Sequence, residues 1–173
     1  MDGSRRLDYS RRMPDHTIPP AAAPRALAHV SIAVEDAEAT AARYARLVGA
    51  TVRARVRLDD RGLVVVFLDL AGVPIELVQP IDPADETNTV ARFLKSRGPG
   101  LHHLAWFVDD AQAALDHARQ ADARLVDERP RPGADGCAVA FLHPGSTAGV
   151  LHEYVAGGRH APRPRGSEGL LTD

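Results

Sequence analysis

The chain has one cysteine, Cys137, and one lysine, Lys95, among its 173 residues. A lone thiol cannot close an intrachain disulfide, so a reducing compartment is the simplest setting. Cys137 itself reads as a buried structural thiol. No stretch approaches the roughly 20 apolar residues that a membrane helix requires. The N-terminal segment is arginine-rich and broken by proline, and it lacks the apolar run of a secretory signal. These absences predict a soluble, cytoplasmic protein with no membrane partner. A formal net charge of -2 with intermixed signs gives no broad basic field. That removes the electrostatic case for a nucleic-acid partner. The positive charge is almost entirely arginine and alanine is abundant, which we read as coding bias before chemistry.

What is present suits one ordinary domain, since 45% hydrophobic content is enough to bury a core. Residues 1–26, rich in Arg, Pro and Ala, and residues 157–173, rich in Gly, Arg and Pro, cannot bury enough apolar surface to offset ordering entropy. They are expected to be flexible tails around a single domain over 27–156. His16 and His160 fall in these tails and read as solvated.

Within the domain the chain nearly repeats itself. Leu27-Ala28-His29-Val30 returns 74 positions later as Leu101-His102-His103-Leu104, and Val34, Asp36, Ala37 and Ala39 return as Val108, Asp110, Ala111 and Ala113. At the same offset Phe67-Leu68 returns as Phe141-Leu142. A gapless offset over about forty residues signifies two copies of one supersecondary unit. Two histidines related by an approximate twofold axis follow from it.

The local patterns predict the unit. Strand His29–Val34 leads through a capping Asp36 into a helix over Ala37–Val48 that stops at Gly49. Strands over Thr51–Leu58, Leu63–Leu70 and Val73–Val78 follow, divided by Asp60-Arg61-Gly62 and Ala71-Gly72. A connector over 81–100, with a short helix from Thr87 to Ser96, separates this first module (27–80) from the second (101–156). The second module repeats the order as strand His103–Val108, helix Ala111–Ala121, and strands Arg124–Glu128, Ala138–His143 and Gly149–Val155. The expected fold class is α+β, with two βαβββ modules closing into a curved, cup-like mixed sheet and the helices outside.

Alternation along a strand puts His29, Ser31 and Ala33 on one face and Val30, Ile32 and Val34 on the other. His103, Ala105 and Phe107 oppose Leu104, Trp106 and Val108 in the same way, so His102 and His152 are expected on the faces opposite His103 and Glu153. Each module's last strand carries one carboxylate in an apolar run, Glu76 in the first and Glu153 in the second. Burying such a charge costs several kcal/mol unless it is paired or bound to a metal. A single strand histidine is ordinarily a satisfied core residue, and the glutamates alone would read as an exposed face. Four metal-capable residues at corresponding places in both halves favour one divalent-cation site made of His29, Glu76, His103 and Glu153.

The segments His29-Val-Ser-Ile-Ala-Val, Gly100-Leu-His-His-Leu-Ala-Trp-Phe-Val-Asp-Asp and Phe141-Leu-His-Pro-Gly-Ser-Thr-Ala-Gly-Val-Leu-His-Glu153 resemble the vicinal oxygen chelate (glyoxalase/bleomycin resistance/dioxygenase) superfamily. Within it they are most similar to the methylmalonyl-CoA epimerase family, over about residues 27–156. The resemblance implies that His29, Glu76, His103 and Glu153 are metal ligands, with glutamine replacing Glu76 in some members. It implies Co2+ or Mn2+ as the ion, with Ni2+, Zn2+ and Fe2+ also compatible with the donors. It further implies an acyl-CoA substrate, a homodimer, and a 1,1-proton transfer between (R)- and (S)-methylmalonyl-CoA through a metal-stabilised enolate. Epimerisation needs an acid or base on each face of the enolate. Glu153 resembles the residue given one of those roles. Where some members carry a glutamate for the other, this chain has Val64-Val65-Val66. Asp69, with the face parity of Val65, and its repeat partner His143 are the remaining candidates.

Three alternatives stay open at this level. One is a glyoxalase I-type lactoylglutathione lyase, whose glutathione-binding basic residues have no clear match here apart from Arg43 and Arg46 on the first helix. Another is an epimerase or isomerase of a specialised biosynthetic pathway. The third is a non-catalytic small-molecule binding or resistance protein, although the full set of four ligands favours catalysis.

Overall fold

Asp36 and Asp110, one residue in two copies, begin the same event in both halves of the chain. Each leaves a strand in extended conformation and caps a helix, Asp36 accepting from the Ala39 amide at 2.8 Å and Asp110 from those of Gln112 and Ala113 at 2.8 and 3.1 Å. The side-chain oxygen satisfies amides that the first helical turn leaves without partners. The computed structural model describes residues 17–133 and 136–158, so the two terminal segments, His16 and His160 lie outside the described residues.

The elements are β1 (Ala26–Ala33), α1 (Ala37–Val48), β2 (Thr51–Leu58), β3 (Leu63–Leu70), β4 (Val73–Pro80), α2 (Thr89–Arg97), β5 (Gly100–Val108), α3 (Ala111–Gln120), β6 (Arg131–Pro132), β7 (Ala138–Leu142) and β8 (Leu151–Ala156). They form one mixed sheet in the order β2-β3-β4-β1-β5-β8-β7-β6. Within each half the first strand lies parallel to the last, β1 against β4 and β5 against β8. The halves join where β1 and β5 run antiparallel. This central pair brings His29 and His103 to the middle of the sheet.

The outer face is packed under helices and the inner face is left partly open. Val34, Val66, Leu68, Ile75 and Leu77 pack with Ala37 and Ala41 of α1, and Leu115 and Ala118 of α3 pack with Ala140 and Leu142. Alanine on the buried helix faces lets the helices approach the sheet closely. On the inner face Ala33, Val65, Val78 and Val90 form one cluster, and Ala28, Ala105, Val139 and Val155 form another. Val90 belongs to α2, so the connector helix covers part of the cup on the side of the first module.

Several boundaries differ from those the sequence predicts. Arg124–Glu128 is not a strand: Leu125 makes a single bridge to Leu142, and the two-residue β6 pairs with β7 instead. Asp127 accounts for part of this, because its carboxylate accepts the Phe141 amide at 2.9 Å and takes the place of a ladder bond. The connector helix starts at Thr89, since Asn88 accepts from the Val90 and Ala91 amides. Residues before 27 also pack against the sheet and α3. Ala22 is buried against Val108 and Ala111, Ala21 accepts the Asp110 amide at 3.0 Å, and Arg25 pairs with Asp109 at 2.6 Å.

Candidate metal centre

Two β-bulges aim the central strands. In the β1–β5 ladder the pairing passes from Leu27↔Trp106 to His29↔Ala105 without Ala28, and from Ser31↔His103 to Ile32↔Leu101 without His102. Ala28 and His102 are one repeat position, so the bulge itself is duplicated. An extra residue in one strand re-aims its side chains. As a result Ala28 and His29, and likewise His102 and His103, all line the cavity on the inner face. This corrects the expectation that His102 faces away, which strict alternation required. The repeat offset pairs it with Ala28 but carries no sign of a bulge.

The four expected ligands converge at the centre of that cavity, which measures about 1060 Å3. His29 Nε2 and His103 Nε2 are 3.0 Å apart, and Glu153 Oε2 lies 3.3 and 3.2 Å from them. Glu76 Oε2 stands further off, at 3.5 Å from His29 and 3.9 Å from His103. Among the described residues, His29, His103 and Glu153 form the group compact enough to hold a metal ion. Ligand bonds of about 2.0–2.2 Å in a tetrahedral or octahedral shell place neighbouring donors about 3.0–3.5 Å apart. The three closest donors have that spacing. They also have the chemistry, since two imidazole nitrogens and a carboxylate oxygen suit a divalent first-row ion. Without a cation, two inward-facing nitrogens 3.0 Å apart must share a proton. His102 supplies an outer contact, its Nδ1 2.9 Å from Nδ1 of His103 and its ring edge-on to Phe93 of α2. A proton on His103 Nδ1 directed at His102 leaves the His103 Nε2 lone pair free for a cation.

The electrostatics match this clustering. Burial works to raise the Glu153 carboxyl, but hydrogen bonds from His103 and His29 and their charges outweigh it and hold the group at about 2, below the ordinary 4.5. Burial of His29 opposes its charged form, yet the hydrogen bond to Glu153 and the charges of Glu76 and Glu153 raise it above 6.5. Burial, followed by the charge of His103, pushes His102 down to about 4.

The signs predict a pH profile for metal-free protein. Glu153 contributes stability that is lost as pH falls from 4.5 toward about 2. His102, protonated more readily when unfolded, costs stability as pH falls from 6.5 toward about 4. His29 contributes stability that is present below 6.5 and lost as pH rises through its raised folded value. Stability is therefore expected to peak near the ordinary histidine value of 6.5. Thermal denaturation across a pH series checks this, and a steady climb through the neutral range contradicts it.

The remaining candidates are less central. Asp69 lies on the cavity rim, half-buried, with its carboxylate accepting the Gly72 amide at 3.1 Å and pairing with Arg53 at 3.3 Å. The Gly72 bond is the larger of the influences that lower its pKa. His143 instead caps the turn Pro144–Ser146, its Nδ1 accepting the Gly145 amide at 3.0 Å, and it does not line the cavity. Val65, within the Val64-Val65-Val66 stretch where some relatives were expected to carry a glutamate, is buried on the inner face. His152 lies off the cavity, where its Nδ1 accepts from the Trp106 indole at 2.9 Å. Arg43 and Arg46 line a shallow depression on α1, apart from the cavity. Cys137 is half-buried in the cavity wall.

Comparison with known proteins follows the same lines. A model of the Glyoxalase/Bleomycin resistance protein/Dioxygenase superfamily matches residues 28–141. The ethylmalonyl-CoA/methylmalonyl-CoA epimerase of Cereibacter sphaeroides is 41% identical over 129 residues, covering 73% of this chain and 94% of that protein. The crystal structure of methylmalonyl-CoA epimerase from Mycobacterium tuberculosis superposes with a TM-score of 0.70 at 32% identity, over 85% of this chain and 95% of that one. A methylmalonyl-CoA epimerase solved in complex with methylmalonyl-CoA and NH4+ superposes with the same TM-score at 26% identity, over 81% of this chain and all of that one. With its duplicated βαβββ sheet, its central histidine pair and this extent of likeness, the chain belongs to the glyoxalase/bleomycin resistance/dioxygenase superfamily, alongside the methylmalonyl-CoA epimerases.

Proposed function

We propose that this chain is a metal-dependent epimerase interconverting (R)- and (S)-methylmalonyl-CoA by transfer of the α-proton. The observation that carries the proposal is the convergence of His29 Nε2, His103 Nε2 and Glu153 Oε2 within 3.3 Å of one another, inside a cavity roomy enough for an acyl thioester. Glu76 is the fourth ligand in this account, and Co2+ or Mn2+ is the ion. A divalent cation held there would act as a Lewis acid toward the thioester and malonyl carboxylate oxygens, lowering the energy of the enolate.

The chain's own residues supply the rest. His29 and His103 fix the donor geometry from the two central strands, and the bulges keep both rings on the cavity side. Glu153, buried and ionised, is the group proposed for one face of the α-carbon, taking the proton there in one direction and delivering one there in the reverse direction. Small and branched side chains, Ala28, Val65, Val78 and Val155, line the cavity wall and exclude water there. For the opposite face of the enolate, Asp69 is the candidate on the cavity side, working from the rim through water. A homodimer is part of the proposal. Ethylmalonyl-CoA is a second substrate in this reading, on the strength of the name of the Cereibacter sphaeroides relative. Arg43 and Arg46, the arginines considered for a glutathione substrate, lie outside the cavity.

The test is proton exchange at C2 of methylmalonyl-CoA in deuterated water, followed by NMR with full-length protein reconstituted with Co2+ or Mn2+. Deuterium is expected to enter only when metal and protein are both present. No incorporation in fully loaded protein rules the reaction out.

A further inference from the structure

Ser31 is completely buried, and its hydroxyl is the one buried side-chain polar atom without a hydrogen-bond partner among the described residues. Leaving a hydroxyl unpaired in the interior costs about 1–3 kcal/mol, so such a group calls for a reason. Its place in the sheet suggests one. Ser31 sits on β1 between two expected ligands, in register with Glu76 on β4 and with His103 on β5. Register partners on adjacent strands are about 4.8 Å apart and present their side chains on the same face. The Ser31 and Glu76 side chains therefore leave neighbouring positions on the same face.

The two halves of the repeat differ at this point. The copy of Ser31 is Ala105, also completely buried, in register with Glu153 and His29. Glu153 sits within 3.3 Å of both histidines, whereas Glu76 lies 3.5 and 3.9 Å from them. No hydrogen bond from any donor holds the Glu76 carboxylate among the described contacts; its partners are the two imidazoles. The hydroxyl thus belongs to the half whose carboxylate is loosely held. Two carboxylates facing one centre repel each other, and a cation removes that repulsion and allows Glu76 to draw in.

We propose that Ser31 is a positioning residue for Glu76, its hydroxyl donating a hydrogen bond to the Glu76 carboxylate when a divalent cation occupies the centre. The inference rests on Glu76 being the fourth ligand. Ser31 then makes its bond in the loaded protein and lacks a partner in the metal-free one.

Co2+ titration of the full-length chain by calorimetry, paired with thermal denaturation of metal-free protein, tests the proposal. Ser31→Ala is expected to weaken Co2+ binding by about 10-fold, the lower end of what losing an outer-shell partner costs. The same substitution should leave metal-free protein as stable as before or more so, because it removes an unpaired buried polar group. Ser31→Cys, which keeps the volume but weakens the donor, should lose affinity as well, separating the hydrogen bond from packing. In a Glu76→Ala background Ser31→Ala should have no further effect on affinity. Unchanged Co2+ affinity in both Ser31 variants overturns the positioning role while leaving the centre intact. If Glu76→Ala itself leaves affinity unchanged, the fourth-ligand assignment fails, and the Ser31 proposal with it.

Discussion

Glu153→Gln, assayed in protein saturated with Co2+, is expected to lower the epimerisation rate by about 100- to 10,000-fold, the range a positioned acid–base group contributes. The reason is specific to this site. Glu153 is buried, yet its carboxyl is held ionised at about 2 by two histidines, so it is available as a base wherever the protein is folded. Glutamine retains a carbonyl oxygen for coordination and removes the ability to take a proton. The loss should therefore appear in kcat at saturating metal and substrate, with the circular dichroism spectrum unchanged. Activity within a few-fold of the parent would remove Glu153 from the proton-transfer role and leave it a ligand only.

The second large effect is expected at His103. His103→Ala removes the nitrogen that lies 3.0 Å from His29 and 3.2 Å from Glu153. Metal affinity should fall by more than about 100-fold, beyond the cost of losing an outer-shell partner. The change should also destabilise metal-free protein by about 3–5 kcal/mol, because Glu153 loses one of the two imidazole hydrogen-bond partners that compensate its burial. Isothermal titration and chemical denaturation measure the two effects independently. Loss of affinity without loss of metal-free stability would mean that His29 alone compensates Glu153. Unchanged affinity would take His103 out of the centre.

Much of this site was legible from the repeat alone. The 74-residue repeat offset from His29 to His103, and a carboxylate in the last strand of each module, point to the central group from the sequence, because a duplicated unit closes on its own axis. The helix boundaries were legible for a local reason: Asp36, Asp110 and Gly49 are caps whose chemistry acts within one turn. The placement of His102 was hidden, since a bulge depends on how two strands pair rather than on either strand's sequence. The false strand at Arg124–Glu128 has a similar origin. Its pattern suits an extended segment, but Asp127 bonds the neighbouring Phe141 amide with its side chain and replaces the ladder there. The difference between Ser31 and Ala105 is visible in the sequence as a mismatch in the repeat, and acquires meaning only once register sets each beside a particular carboxylate.

Crystals of the full-length chain grown with Co2+ and measured at the cobalt absorption edge test the central claim most directly. The account predicts one anomalous peak per chain, about 2.0–2.2 Å from Nε2 of His29, Nε2 of His103 and a carboxylate oxygen of each of Glu76 and Glu153. A peak elsewhere, or none at this centre in protein shown to bind one equivalent of Co2+, would contradict it.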